Sequence, residues 1–194
     1  MRVANASVNG NTTRLALERM PQDVQKDGVD LLVVQFGLND CNYWQTDGGV
    51  PRVSPRAFAA NLEEIVARGY RFGAGSVVLA TNHPSGRDLH PMSPTGEPYQ
   101  AGNVRYNAII REVAGALAGR VVLADVEAAF LERTAGRRES LLPLLLPDPD
   151  LLHLSGRGHD VYVEILGPVL ERELERLIAV RAAEAGVTAT PGPR

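Results

Sequence analysis

An α/β fold built on a parallel sheet is the class this sequence predicts, and three observations carry it. Strand-sized apolar runs alternate along the chain with stretches of helical periodicity. The apolar runs lack the in-out alternation of a strand with one wet face, as expected of strands covered by helices on both sides. Polar residues follow those runs at once, where open α/β sheets bind their ligands. At 194 residues, 44% of them hydrophobic, the chain suits one domain over residues 1–187 with a flexible tail at 188–194.

The elements follow in order. Residues 2–6 read as a short strand that stops at a Gly- and Asn-rich turn around Gly10, and Leu15, Leu17 and Met20 then fall at helical spacing. Asn11 or Thr12 can cap that helix and Pro21 interrupts it. The run 31–36, Leu-Leu-Val-Val-Gln-Phe, reads as a strand buried on both faces and ends at Gly37-Leu-Asn39-Asp40. The loop 41–53, with Tyr43 and Trp44, is long enough to wall a pocket there. Ser54-Pro55 starts a helix with Ser as cap and Pro at the first helical position, and Phe58, Leu62, Ile65 and Val66 mark its apolar face.

Residues 76–80 form the next buried strand, followed by Thr81, Asn82 and His83. The Pro-, Gly- and Ser-rich stretch 84–98 reads as a loop, mobile over the site. Val104, Ile110, Val113 and Leu117 predict another helix, with Asn103, Tyr106 and Asn107 on a face packing under the site. Residues 121–124 are a strand closed by Asp125, and 128–133 a short helix. An apolar, Pro-broken connection over 141–149 leads to a final helix from 158 to about 185, kinked at Gly167-Pro168.

Composition narrows the function. A net charge of −3 leaves no basic surplus for phosphates, which argues against nucleic acid. The single cysteine, Cys41, excludes an intrachain disulfide and a Cys-rich zinc site, and reads as a buried, inert thiol. No signal peptide or membrane span is visible, so the cytoplasm is the default location.

Chemistry concentrates in Asp150-Leu-Leu-His153-Leu-Ser-Gly-Arg-Gly-His159. A carboxylate three residues before an imidazole is the acid-base half of a Ser-His-Asp triad. Ser155 reads as a helix cap and His159 as an anchor of the last helix.

Three blocks stand in a fixed order: Asn5-Ala-Ser-Val-Asn-Gly10-Asn-Thr-Thr, Gly37-Leu-Asn39-Asp40, and Asp150-x-x-His153-Leu-Ser-x-x-Gly-His159. Together they resemble the second, third and fifth blocks of the SGNH hydrolases, the GDSL esterase/lipase family. The resemblance implies a flavodoxin-like three-layer α/β/α fold and ester hydrolysis of a small or carbohydrate-linked acyl group, with no metal or organic cofactor. It implies His153 as general base, Asp150 as its partner, and Gly10 and Asn39 as oxyanion-hole donors. Asp40, Trp44, Asn82 and His83 are further candidates for substrate contact.

The family's first block, a Gly-Asp-Ser turn that carries the nucleophile, does not occur in this sequence. In the family, the strand before that block lies between the strands that correspond here to 2–6 and 31–36. Without it those two stand about 10 Å apart, too far to pair. Three explanations are open: the serine lies upstream of this chain, the chain is a nucleophile-less relative that binds ligands without hydrolysing them, or Ser7 substitutes as nucleophile. A metallophosphoesterase, suggested by Asn82-His83, is a distant alternative. Arg52 reads as solvated.

Overall fold

The computed structural model describes residues 2–92 and 95–187; the tail expected over 188–194 lies outside them. A parallel sheet of β1 (Leu31–Val34), β2 (Ser76–Ala80) and β5 (Val122–Ala124), in the order β1-β2-β5, forms the centre. Leu31 stands opposite Ser76 and Val78 opposite Val122. Helices α1 (Thr13–Met20), α2 (Pro55–Arg71) and α3 (Tyr99–Ala116) cover one face; α4 (Val126–Thr134) and α6 (Gly156–Val187) cover the other.

The period-two geometry of β2 divides the core between these layers. Val77 and Leu79 join Phe58, Leu62, Ile65 and Ile110 on one face, while Val78 and Ala80 join Val126, Phe130 and Leu166 on the other. All five β2 residues are buried, as a central parallel strand requires.

Local signals set the helix ends. The Thr12 hydroxyl accepts the Leu15 N–H at the start of α1, and the Ser54 hydroxyl accepts the Ala57 N–H at the start of α2. At Pro21, which has no N–H to give, α1 changes into a π-helical turn, Pro21–Gln25. Asp125 caps α4 by accepting the Ala128 N–H. A four-residue helix, α5 (Arg138–Leu141), and a 3-10 turn (Leu142–Leu144) fill the connection to α6, which continues through Pro168. Gly158 sits so close to this connection that a Cβ there would lie 2.0 Å from the Leu144 carbonyl oxygen.

Three expectations are corrected. Residues 2–6 are not a strand; they are exposed and held against α1 by an Arg19 hydrogen bond to the Ala6 carbonyl. A strand needs a hydrogen-bonded neighbour, and among the described residues none pairs with this segment. For the same reason β1 is not buried on both faces: among the described residues it pairs only with β2, and Val33 is 40% exposed. Over its described residues, 84–92 and 95–98, the stretch expected as a loop is not all loose either. Pro84 and Ser85 are buried, and β3 (Pro91–Met92) pairs antiparallel with β4 (Glu97–Pro98).

Candidate active site

The segment between the 3-10 turn and α6 folds back on itself. Leu146 N–H donates to the His153 carbonyl and Ser155 N–H to the Leu144 carbonyl, so Asp150 and His153 stand on a tight excursion. His153 Nδ1 lies 2.8 Å from Asp150 Oδ2, while Asp150 Oδ1 accepts the backbone N–H groups of His153 at 2.7 Å and Leu152 at 2.9 Å. Partial burial opposes ionisation of this carboxyl. The hydrogen bonds from the His153 backbone and ring and from Leu152 outweigh it and hold the group at about 2. An ionised Asp150 therefore fixes the proton on Nδ1 and leaves Nε2 as the basic nitrogen. Ser155 caps α6 as expected, its hydroxyl accepting the Gly158 N–H.

The acid-base segment is strapped to the strand end of β2. Gly86 N–H donates to the Leu151 carbonyl at 2.7 Å and Arg87 Nε to the Asp150 carbonyl at 2.6 Å. This strap holds Gly86 and Arg87 against the Asp150–Leu151 backbone.

His153 opens onto a cavity of about 290 Å³ at the C-terminal ends of the strands. Asn82 and His83 line it with Gln35, His159 and Tyr162, and Leu38 and Leu154 give it apolar edges. Burial holds His83 below the usual imidazole range, although the Pro84 carbonyl beside Nδ1 works the other way. The sequence reading missed Gln35 and Tyr162, whose hydroxyl donates to Gln35 Oε1 at 2.8 Å. A signal for Gln35 was available: it is the polar residue in the apolar run 31–36. His159 is exposed at the cavity rather than packed as a helix anchor.

Gly10 and Asn39 do not line this cavity; they lie on neighbouring turns. The Gly10 carbonyl accepts Arg52 Nη2 at 2.9 Å, so Arg52 is engaged rather than solvated, and its guanidinium stacks 4.8 Å over Trp44. Asn39 is half-buried, and its side-chain amide makes no hydrogen bond among the described residues.

Two of the substrate-contact candidates lie outside this cavity. Asp40 is fully buried and faces inward: Oδ1 accepts the Thr13 N–H and hydroxyl, and Oδ2 accepts the Gly37 N–H. Burial nevertheless raises its pKa, because those bonds recover only part of the lost hydration. Trp44 is 59% exposed outside the cavity wall. Cys41 is buried as expected, and its thiol is pushed up to about 12 by burial and the neighbouring Asp40. No three His, Cys, Asp or Glu side chains cluster to hold a metal among the described residues.

Residues 1–161 match the model of the GDSL-like Lipase/Acylhydrolase family. The chain is 30% identical over 187 positions to an uncharacterised lipoprotein of Bacillus subtilis, YqeF, across 88% of this chain and 74% of the relative. That name does not support the cytoplasmic default, although no helix among the described residues is long and apolar enough to cross a membrane. Among solved structures, the acetylxylan esterase Axe2 of Geobacillus stearothermophilus matches with a TM-score of 0.63 at 23% identity, over 91% of this chain and 72% of the esterase. A lipase/acylhydrolase of Enterococcus faecalis matches with a TM-score of 0.63 at 22% identity, over 86% and 72% of the two chains.

Proposed function

Because this chain belongs to the GDSL-like lipase/acylhydrolase family, and is by family a carboxylic-ester hydrolase, we propose that Asp150 and His153 are the acid-base half of a Ser-His-Asp triad acting on an acyl ester. The observation that carries this reading is the 2.8 Å contact of His153 Nδ1 with a carboxylate held ionised, at the mouth of a cavity on the strand ends. In the proposed reaction His153 Nε2 takes the proton from an attacking serine and returns it to the leaving alkoxide. The Gly10 N–H and the free Asn39 amide receive the negative charge of the tetrahedral intermediate, each contributing about 3 kcal/mol to lowering the barrier.

The serine is proposed to come from a segment upstream of residue 1. Two observations support this: among the described residues no serine lines the cavity that holds His153, and none forms a strand on the outer edge of β1. A strand added at that edge would end beside Gln35, at the cavity wall. Ser7 is the alternative nucleophile within the chain; it is exposed.

The substrate we infer is a small acyl group carried on a carbohydrate. The cavity's size and mixed polar lining suit such a group, and Axe2 is named an acetylxylan esterase. Asn82 and His83 are the proposed contacts on the cavity wall. Comparing hydrolysis of acetylated xylooligosaccharides with that of p-nitrophenyl butyrate and longer esters tests this. Preference for the acetylated sugar is expected, and preference for longer acyl chains would overturn the substrate assignment.

A further inference from the structure

Two amide side chains of α3 are buried where aliphatic ones would pack. Asn103 and Asn107 are fully buried, one turn apart, on the face that should carry apolar side chains. An amide in such a place costs stability unless its groups are paired, and an aliphatic side chain would pack there without that condition. Asn107 is paired in a particular way. Its Oδ1 accepts the Asn82 N–H at 2.8 Å and its Nδ2 donates to the Asn82 carbonyl at 3.0 Å, so one side chain serves both backbone groups of Asn82 as a neighbouring strand would. Asn103 Nδ2 donates to the next carbonyl, that of His83, at 3.0 Å.

Asn82 in turn reaches across to the end of β1. Its Nδ2 donates to the Phe36 carbonyl at 2.8 Å and lies against Gly37, where a Cβ would come within 2.6 Å of it. Gly37 opens the turn that carries Asn39, and the Cys41 N–H closes that turn onto the Gly37 carbonyl at 2.9 Å.

We propose that Asn107 is a positioning residue which, acting through Asn82, sets the Gly37–Asn39 turn and hence the direction of the Asn39 amide. The inference rests on the oxyanion role proposed for Asn39, but the linkage itself can be read without catalysis. Helix α3 serves as the fixed frame, Asn82 as the connecting strut, and the turn as the part that is aimed.

The test is amide hydrogen exchange and the side-chain amide resonances of Asn39 by NMR, measured on the 194-residue chain. In Asn107→Leu, exchange at Asn82 and Cys41 is expected to rise about tenfold or more, with β2 amides such as Val78 unchanged. The Asn39 side-chain signals should shift in the same variant. Asn82→Ala keeps the backbone bonds to Asn107 but removes the strut. It should free Cys41 while the amide at 82 stays protected, and it supplies the answer if Asn107→Leu does not fold. Adding Asn107→Asp to Asn82→Ala should leave Cys41 exchange where Asn82→Ala alone put it. Unchanged Cys41 exchange and unshifted Asn39 signals in Asn82→Ala would overturn the proposal. If the turn loosens but Asn39→Ala, made in a form extended upstream through a Gly-Asp-Ser segment, does not reduce ester hydrolysis, the linkage stands and the oxyanion role falls.

Discussion

Thr13 and Asp40 are joined twice: the backbone N–H and the hydroxyl of Thr13 both donate to Asp40 Oδ1, at 2.9 and 2.6 Å. This pair ties the start of α1, which follows the Gly10 turn, to the turn that carries Asn39. Asn61 of α2 adds a third tie by donating to the Thr13 hydroxyl at 2.9 Å. The carboxylate also faces the positive end of α1. Asp40→Asn keeps the shape but sets an amide N–H against the donors of Thr13 or Gly37. A loss of about 2 kcal/mol is expected, read as a lower urea midpoint at unchanged slope.

Gly37 gives a sharper case. Its φ of 129° disfavours any side chain, and a Cβ would meet Asn82 Nδ2 at 2.6 Å. Gly37→Ala combines backbone strain with displacement of a buried amide, and about 2 kcal/mol or more of destabilisation is expected in the same titration.

Much of this architecture was legible in the sequence. The caps at Thr12 and Ser54 and the run 76–80 are local signals, and they formed where the residue types put them. The pair Asp150 and His153 was legible as well, because a three-residue spacing is enough to bring the two side chains together. What failed depends on neighbours. A run such as 31–36 does not record whether a strand stands on its far side, and residues 2–6 become a strand only with one. Asp40 read as a substrate contact and Arg52 as solvated because their partners, Thr13 and Gly10, come from distant parts of the chain. The burial of Asn107 follows from its place on the packing face of α3, but its partner, Asn82, was hidden for the same reason.

The acid limb of stability should report on Asp150. Its carboxyl sits at about 2 in the folded protein against an ordinary 3.8. A lowered carboxyl stabilises the fold fully above the ordinary value, and that contribution fades as pH falls through the folded one. Asp150→Asn should therefore flatten the pH dependence of the urea midpoint between about pH 4 and pH 2. An unchanged slope there would mean that the hydrogen bonds to Asp150 do not favour its ionised form.

Cys41 offers a check on the core beside the site. With the thiol 1% exposed and pushed up to about 12, the native protein should not react with a disulfide reagent such as DTNB at neutral pH. One equivalent should appear on unfolding in urea, since there is one cysteine. Rapid labelling of the native protein would mean that the turn over Cys41 opens readily.

Hydrolysis of p-nitrophenyl acetate tests whether Asp150 and His153 activate a serine supplied from upstream. The comparison is between the 194-residue chain, a form extended upstream through a Gly-Asp-Ser segment, and the His153→Ala variant of that form. The extended form should be active, its His153→Ala variant should lose about a thousandfold or more, and the shorter chain should be inactive. Full activity in the His153→Ala variant would contradict the assignment of the base. His153-dependent activity in the shorter chain would place the nucleophile within these residues, with Ser7 the first to replace.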